Sequence, residues 1–257
     1  MMSSKARPVV FDPASAEAIL EPSERWVRVK LGGETVADSK HPLLLIEYGP
    51  GKLPTYFFPE EAVRMELLSE PEERGGRRYW TVRANDKAAP LAAWAYLTPP
   101  EGLDALAGQI TFSWNALSWY EEEEQVFVHA RDPHKRVDVM PSSRHVRVVV
   151  GGVTVAETHR PTLLFETGLP TRYYLPREDV HMEYLRPTAR TSRCPYKGIA
   201  AYWTVEAGDA VLEDVVWSYP DPIPENPKIK GLLCFFNEKV DLYVDGELQA
   251  RPVTPWS

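Results

Sequence analysis

Cysteine is nearly missing from this chain: 257 residues hold two, Cys194 and Cys234, and neither lies in a C-x-x-C pair. That excludes the disulfide framework of a small secreted domain and argues against a zinc site built from cysteines. Long apolar runs are missing too. No window approaches the roughly 18 apolar residues that span a bilayer, and residues 1–11 carry no signal-peptide-like apolar core. Positive charge is in deficit: 29 Lys and Arg against 37 Asp and Glu give a formal net charge of −8. Such a field repels phosphate backbones and anionic bilayers, so neither nucleic acid nor a membrane is an expected partner. A cytoplasmic globular protein is the expectation.

What is present is a folded core. Hydrophobic residues make up 44% of the chain and charged ones 26%, with 8 Trp and 12 Tyr, which is the profile of a folded globular protein and argues against a disordered one. The main organising feature is an internal repeat. Residues 22–47 match residues 141–166 without a gap at an offset of 119 (141 − 22), with 15 of 26 positions identical. Further on, Tyr79-Trp80-Thr81-Val82 matches Tyr202-Trp203-Thr204-Val205, and Trp94-Ala95-Tyr96 matches Trp217-Ser218-Tyr219, both at an offset of 123. The difference comes from two extra residues near Gly49 to Pro54 in the first copy and six between Leu185 and Ala201 in the second. Those six fall on T-S-R-C-P-Y-K-G-I-A-A-Y-W, Thr191 to Trp203, where the first copy has only S-E-P-E-E-R-G-G.

Within each copy the periodicity is that of strands. Val27, Val29 and Leu31 alternate with Arg28 and Lys30, and the run ends at Gly32-Gly33; Val146, Val148 and Val150 end likewise at Gly151-Gly152. These are hairpins with glycine turns. Short strands punctuated by proline and glycine predict an all-β chain of antiparallel sheets, with short helical turns at 59–64, 101–107 and 176–181. A helix capped by Asp12 is predicted over 12–20. The domains are read as an arm (1–21), a diverged first repeat (22–130), a linker (131–140) and a second repeat (141–257). Glu121 to Glu124 reads as a solvated loop, and Asp241 and Asp245 as a hairpin end.

The second copy resembles the bacterial and fungal family called domain of unknown function 427. The resemblance rests on V-R-V-x-V-G-G-x-x-V-A-E (146–157), R-Y-Y-L-P-R-E-D-V (172–180), the T-S-R-C-P-Y-K-G stretch and V-W-S-Y-P (216–220). It implies a β-tent, or Mss4-like, domain: two antiparallel sheets meeting at an angle, with a ligand-sized space between them. A zinc-free version is expected, because the paired cysteines of other members of that fold are missing. Family-level naming hints at nucleotidyltransferase activity, but no P-loop and no Gly-Ser with a spaced Asp pair supports it.

The sharpest candidates are Cys194 and Lys197, since a lysine beside a thiol favours the nucleophilic thiolate. The bland alternative is a buried turn at Cys194-Pro195 with Lys197 reaching a carboxylate. Around them, Glu166, Arg172, Tyr174, Tyr202, Trp217 and Tyr219 are the candidate lining of an aromatic pocket for an unknown small molecule. Trp217 and Tyr219, two apart, share a strand face, and because Trp94 and Tyr96 repeat them in the copy without C-P-Y-K-G, a core role stands beside that of a ligand platform. Glu166 is expected either to end its strand at the surface or to be buried and paired with Arg172, Arg160 or Lys197, Asp179 to cap a helical turn, and Arg25 and Arg144 to do matching structural work. No metal or cofactor is expected, His159 and His181 having no partner at ligand spacing. A small-molecule binder is the leading reading; an enzyme using Cys194 or Lys197 and an interaction scaffold are the rivals.

Overall fold

The computed structural model describes residues 18–49, 51–69 and 71–257, in two compact units that part between Asp132 and Pro133. The first unit runs through β1 (Ile19–Pro22), β2 (Val27–Leu31), β3 (Glu34–Ser39), β4 (Leu43–Ile46), β5 (Thr55–Pro59), β6 (Glu72–Arg74), β7 (Arg77–Ala84), β8 (Lys87–Tyr96), β9 (Gln109–Phe112), β10 (Ser118–Glu121) and β11 (Glu124–Val126). The second repeats it with β12 (Val137–Pro141), β13 (Val146–Val150), β14 (Val153–Thr158), β15 (Thr162–Glu166), β16 (Arg172–Leu175), β17 (Leu185–Cys194), β18 (Gly198–Ala207), β19 (Ala210–Ser218), β20 (Leu233–Phe235), β21 (Asp241–Val244) and β22 (Glu247–Leu248).

Each unit folds into a seven-stranded and a four-stranded antiparallel sheet. The large sheets run β1-β4-β5-β9-β8-β7-β6 and β12-β15-β16-β20-β19-β18-β17; the small ones run β11-β10-β2-β3 and β14-β13-β21-β22. Among the described residues the helical elements are single 3-10 turns, at Glu60–Ala62, Met65–Leu67, Asp104–Leu106, Arg177–Asp179, Met182–Tyr184 and Pro227–Ile229. The all-β, two-copy architecture follows from the sequence pattern. Alternation in β2 buries Val27, Val29 and Leu31 and leaves Arg28 and Lys30 half-buried, so one strand face meets the core. The Gly-Gly turns place both glycines at positive φ, where a side chain is strained.

Two elements lie outside the expected frame. The helix expected over 12–20 falls outside the described residues up to position 17, and from Ile19 the chain is strand β1, paired with β4. Its counterpart β12 begins within the segment expected to link the repeats and pairs with β15 in the same way. Sequence identity between these strands is confined to the final proline, so the repeat's first edge strand shows in the pairing and not in the residues.

The duplication shares one strained feature. Leu91 and Asp214, 123 apart, both sit near φ +50°, where β8 slips register against β7 and β19 against β18. In the second copy Asp214 is tied by Thr188 Oγ1 at 2.7 Å, and a short polar side chain tolerates this region better than leucine does.

Candidate functional site

Strand register decides which way the candidate residues face. Directly opposed residues in an antiparallel pair share a face. Tyr202 lies opposite Trp217, Trp217 opposite Cys234, Cys234 opposite Tyr174, and Leu164 opposite Arg172. Tyr219 and Glu166, two residues beyond Trp217 and Leu164, fall on that same face.

The first repeat identifies the face. There Tyr56, Phe58, Ala93 and Phe112 pack with Val27, Val29 and Trp119 of the small sheet. The interleaved Leu45, Phe57, Trp94 and Tyr96 belong to a separate cluster with Leu103 and Leu106. These four are the equivalents of Leu164, Tyr174, Trp217 and Tyr219. The candidate residues therefore lie on the outer face of the large sheet, beneath the loop that follows β19. The space between the sheets, where the resemblance put the ligand, is lined by the other set of side chains.

The six-residue insertion lengthens the β17–β18 hairpin and folds its tip over this face. A four-residue turn closes from Lys197 N to Cys194 O at 3.3 Å, with Pro195 at its second position. Gly198, at φ +106°, bridges Pro222 so closely that a Cβ would stand 3.3 Å from Asp221 O and 3.4 Å from Pro222 Cα. Ile223 N donates to Lys197 O at 3.2 Å, and the Asn226 amide donates to Tyr196 O at 2.6 Å. The second half of the turn is thus held by the covering loop, which aims Lys197 across the sheet.

Lys197 Nζ donates to Glu166 Oε2, and Lys135 Nζ lies 3.5 Å from Oε1. The carboxylate is 5% exposed and the Lys197 side chain 12%. Burial pushes the Glu166 carboxyl up, but the two ammonium groups outweigh it and hold it below its ordinary value. For Lys197, burial pulls down while Cys194 and Glu166 pull up, leaving it raised. Of the partners expected for Glu166, the structure selects Lys197; Lys135 was missed, and Arg160 pairs instead with Asp179 and Glu178.

Arg172 finds a different partner. Its guanidinium makes two 2.7 Å hydrogen bonds to Glu238, with side chains 7% and 0% exposed. Thr254 Oγ1 adds a third bond to Glu238 at 2.6 Å. Burial disfavours both charges, yet the pairing leaves Arg172 raised and Glu238 lowered. Trp217, Phe236 and Trp256 surround the guanidinium, with centroids 5.4, 5.8 and 5.8 Å from Cζ. Trp217 Nε1 donates to the Tyr174 hydroxyl at 3.1 Å, joining the arginine to the aromatic set.

Burial drives the Tyr174 and Tyr219 hydroxyls well above the ordinary phenol value, and the nearby Glu166 carboxylate adds to it. Tyr202 shares a 2.7 Å hydrogen bond with Ser192, and Arg190 lies 4.6 Å above its ring. Cys194 is partly exposed at the end of β17. Cys234 is fully buried, and burial pushes its thiol up despite Arg172. The candidate residues therefore form one contiguous face whose members pack against one another.

Elsewhere some sequence readings change. Asp179 accepts from Thr158 and Arg160 at 2.6 to 3.1 Å and makes no cap. Glu121 is buried, not solvated: Arg25 at 2.6 Å and the Tyr56 hydroxyl at 3.0 Å hold it. His159 stacks on His145 at 4.3 Å, across the small-sheet hairpin. Among the described residues, no group of three or more His, Cys, Asp and Glu is placed to hold a metal. Asp245 forms the β21–β22 turn at φ +52° and accepts from His145 N at 3.0 Å.

The residues that sequence reasoning missed, Lys135 and Glu238, left an uneven trace. Arg172 and Glu238 stand where the first repeat has Thr55 and Asn115, so both members of the pair are exchanged together. Lys135 lies in a polar stretch with nothing to single it out.

Fold and site together define a duplicated all-β protein whose copies differ in the polar chemistry of one sheet face. The model of a domain of unknown function, DUF427, matches residues 19–123 and 138–246, and the chain belongs to that family as two tandem copies. Comparison with curated proteins gives no match.

Proposed function

We propose that the second repeat binds a small molecule on the outer face of its large sheet. Tyr174, Tyr202, Trp217 and Tyr219 supply the aromatic surface, and Glu166, Arg172, Cys194 and Lys197 the polar groups. The first repeat serves mainly as structure. One observation carries this reading: the first repeat builds the same sheet with Phe57, Leu103, Leu106 and Thr55 where the second has Tyr174, Asn226, Ile229 and Arg172. Buried ion pairs are weak contributors to stability, and replacing them by apolar packing is often neutral or favourable. The fold does not need the charges, so their presence in one copy is explained by recognition. A cytoplasmic setting belongs to the same reading, both thiols being free.

A thermal-shift screen of small aromatic compounds tests it, with Lys197→Ala and Trp217→Ala expected to lose the hits and Trp94→Ala to keep them. If the two second-repeat variants fold and bind every hit like the parent, the site is elsewhere.

A second reading, catalysis by Cys194, is favoured by the tight turn that sets Lys197 three residues after the partly exposed thiol, with Lys197 N donating to Cys194 O at 3.3 Å. Its test is the rate of Cys194 alkylation against pH in the parent and in Lys197→Met. Indistinguishable profiles assign the thiol to structure.

A further inference from the structure

The segment that follows the last strand also differs between the copies. In the first repeat, residues 127–132 are locked down. Ala130 is fully buried and donates to Pro54 O at 3.0 Å, and Asp132 accepts from the Tyr48 hydroxyl at 2.7 Å. In the second, the equivalent stretch reaches the site: Thr254 bonds Glu238 and the Trp256 ring lies against Arg172. Its apolar side chains stay in solvent even so, Val253 being 70% and Trp256 42% exposed.

We propose that residues 250–257 form a displaceable strap, and that Trp256 and Thr254 hold the places of a planar aromatic ring and its N–H or O–H donor. This rests on the small-molecule reading above and names the ligand class. Lifting the strap leaves the guanidinium with its edge bonded to Glu238, flanked by Trp217 and Phe236, and with the side that Trp256 covered open to a flat ring. It also strips Glu238 Oε1 of a 2.6 Å hydrogen bond, leaving Arg172 Nη2 as that oxygen's donor, and a bond lost from a buried carboxylate is costly. A ligand that stacks on Arg172 and donates to Glu238 replaces both losses. An aliphatic carboxylic acid replaces neither, having no ring and meeting Glu238 with like charge. Strap and ligand compete for one place, so loosening the strap tightens binding.

The test uses the full chain labelled with 5-fluorotryptophan, with the Trp256 and Trp217 resonances assigned by Trp256→Phe and Trp217→Phe, and indole as the probe. Indole is expected to move the Trp256 signal toward that of the free amino acid. Thr254→Val, which keeps Trp256 as the reporter while removing the strap's bond to Glu238, is expected to tighten indole binding about fivefold by lowering the closed population. With its donor blocked, 1-methylindole should bind more weakly. If the Trp217 signal responds to saturating indole while Trp256 stays still, the strap is refuted and the small-molecule site survives. If neither signal responds in the parent or in folded Thr254→Val, the ligand class is refuted, and the aromatic-compound screen alone judges the wider reading.

Discussion

Glu238→Asn should be the most damaging conservative change in the second repeat. Its carboxylate is fully buried and accepts three hydrogen bonds, two at 2.7 Å from Arg172 and one at 2.6 Å from Thr254. The substitution leaves a guanidinium that is 7% exposed without its counter-charge. Breaking a buried pair from one side typically costs about 3–5 kcal/mol. The first repeat supplies the rescue: Thr55 stands for Arg172, Trp114 for Asn237, Asn115 for Glu238 and Trp119 for Leu242. There Trp114 donates to Thr55 Oγ1 at 2.9 Å and stacks on Trp119 at 4.2 Å. Making all four exchanges together should therefore return stability to within about 2 kcal/mol of the parent, because no unpaired buried charge is left at these positions. Urea denaturation followed by circular dichroism and fluorescence reads both values. A single variant costing less than about 1 kcal/mol, or a fourfold variant no more stable than the single, would refute the reasoning that the pair is dispensable to the fold but not divisible.

Three further outcomes follow from the same geometry. Glu166 has a folded-state value below that of the unfolded chain, so its stabilisation is full above about pH 4.3 and is lost as pH falls through the lower folded value; the stability gap between parent and Glu166→Gln should shrink in acid titrations, and a constant gap contradicts the ion pair. In native protein, iodoacetamide should modify Cys194 but not Cys234, which burial shields and raises, and labelling of Cys234 before unfolding, read by mass spectrometry, contradicts that packing. Gly151→Ala should cost more than Gly32→Ala, because an added Cβ meets the rigid Ala207 carbonyl at 2.6 Å in one turn and the flexible Lys87 side chain at 3.3 Å in the other; equal losses in thermal melts contradict this.

Most of the fold was legible because alternation and glycine turns are local signals, repeated twice. The hairpins at Gly32-Gly33 and Gly151-Gly152 needed nothing but their own residues. The edge strands β1 and β12 were not legible, since an edge strand pairs on one side and its composition is set by a distant partner. Strand β17 was hidden for a related reason: R-P-T-A-R-T-S-R-C is polar because most of it faces solvent, and Thr191 to Cys194 are held in the sheet by pairing with β18. At the site, the residue types were readable, but the face was not. Whether Trp217 points between the sheets or away from them depends on register and on which face the small sheet covers, both long-range facts.

The duplication also changes what the aromatic residues can mean. Trp94 and Tyr96 occupy the same strand positions as Trp217 and Tyr219, and in the first copy they pack with Phe57, Trp94 edge-on and Tyr96 stacked, and with Leu103 and Leu106. Aromatic surface alone is therefore compatible with a face that is simply covered. A cation remains near these rings in both copies, but from different sources: Arg77 lies 4.0 Å over Trp94 in the first, and Arg172 5.4 Å from Trp217 in the second. What separates them is fixation. Arg77 is held by ring contacts and Tyr hydroxyls, whereas Arg172 is locked by a buried carboxylate that in turn needs Thr254. A guanidinium oriented at that electrostatic cost, beside a half-exposed tryptophan, is what the proposed binding of a small molecule would use, and the first copy folds the same face without it.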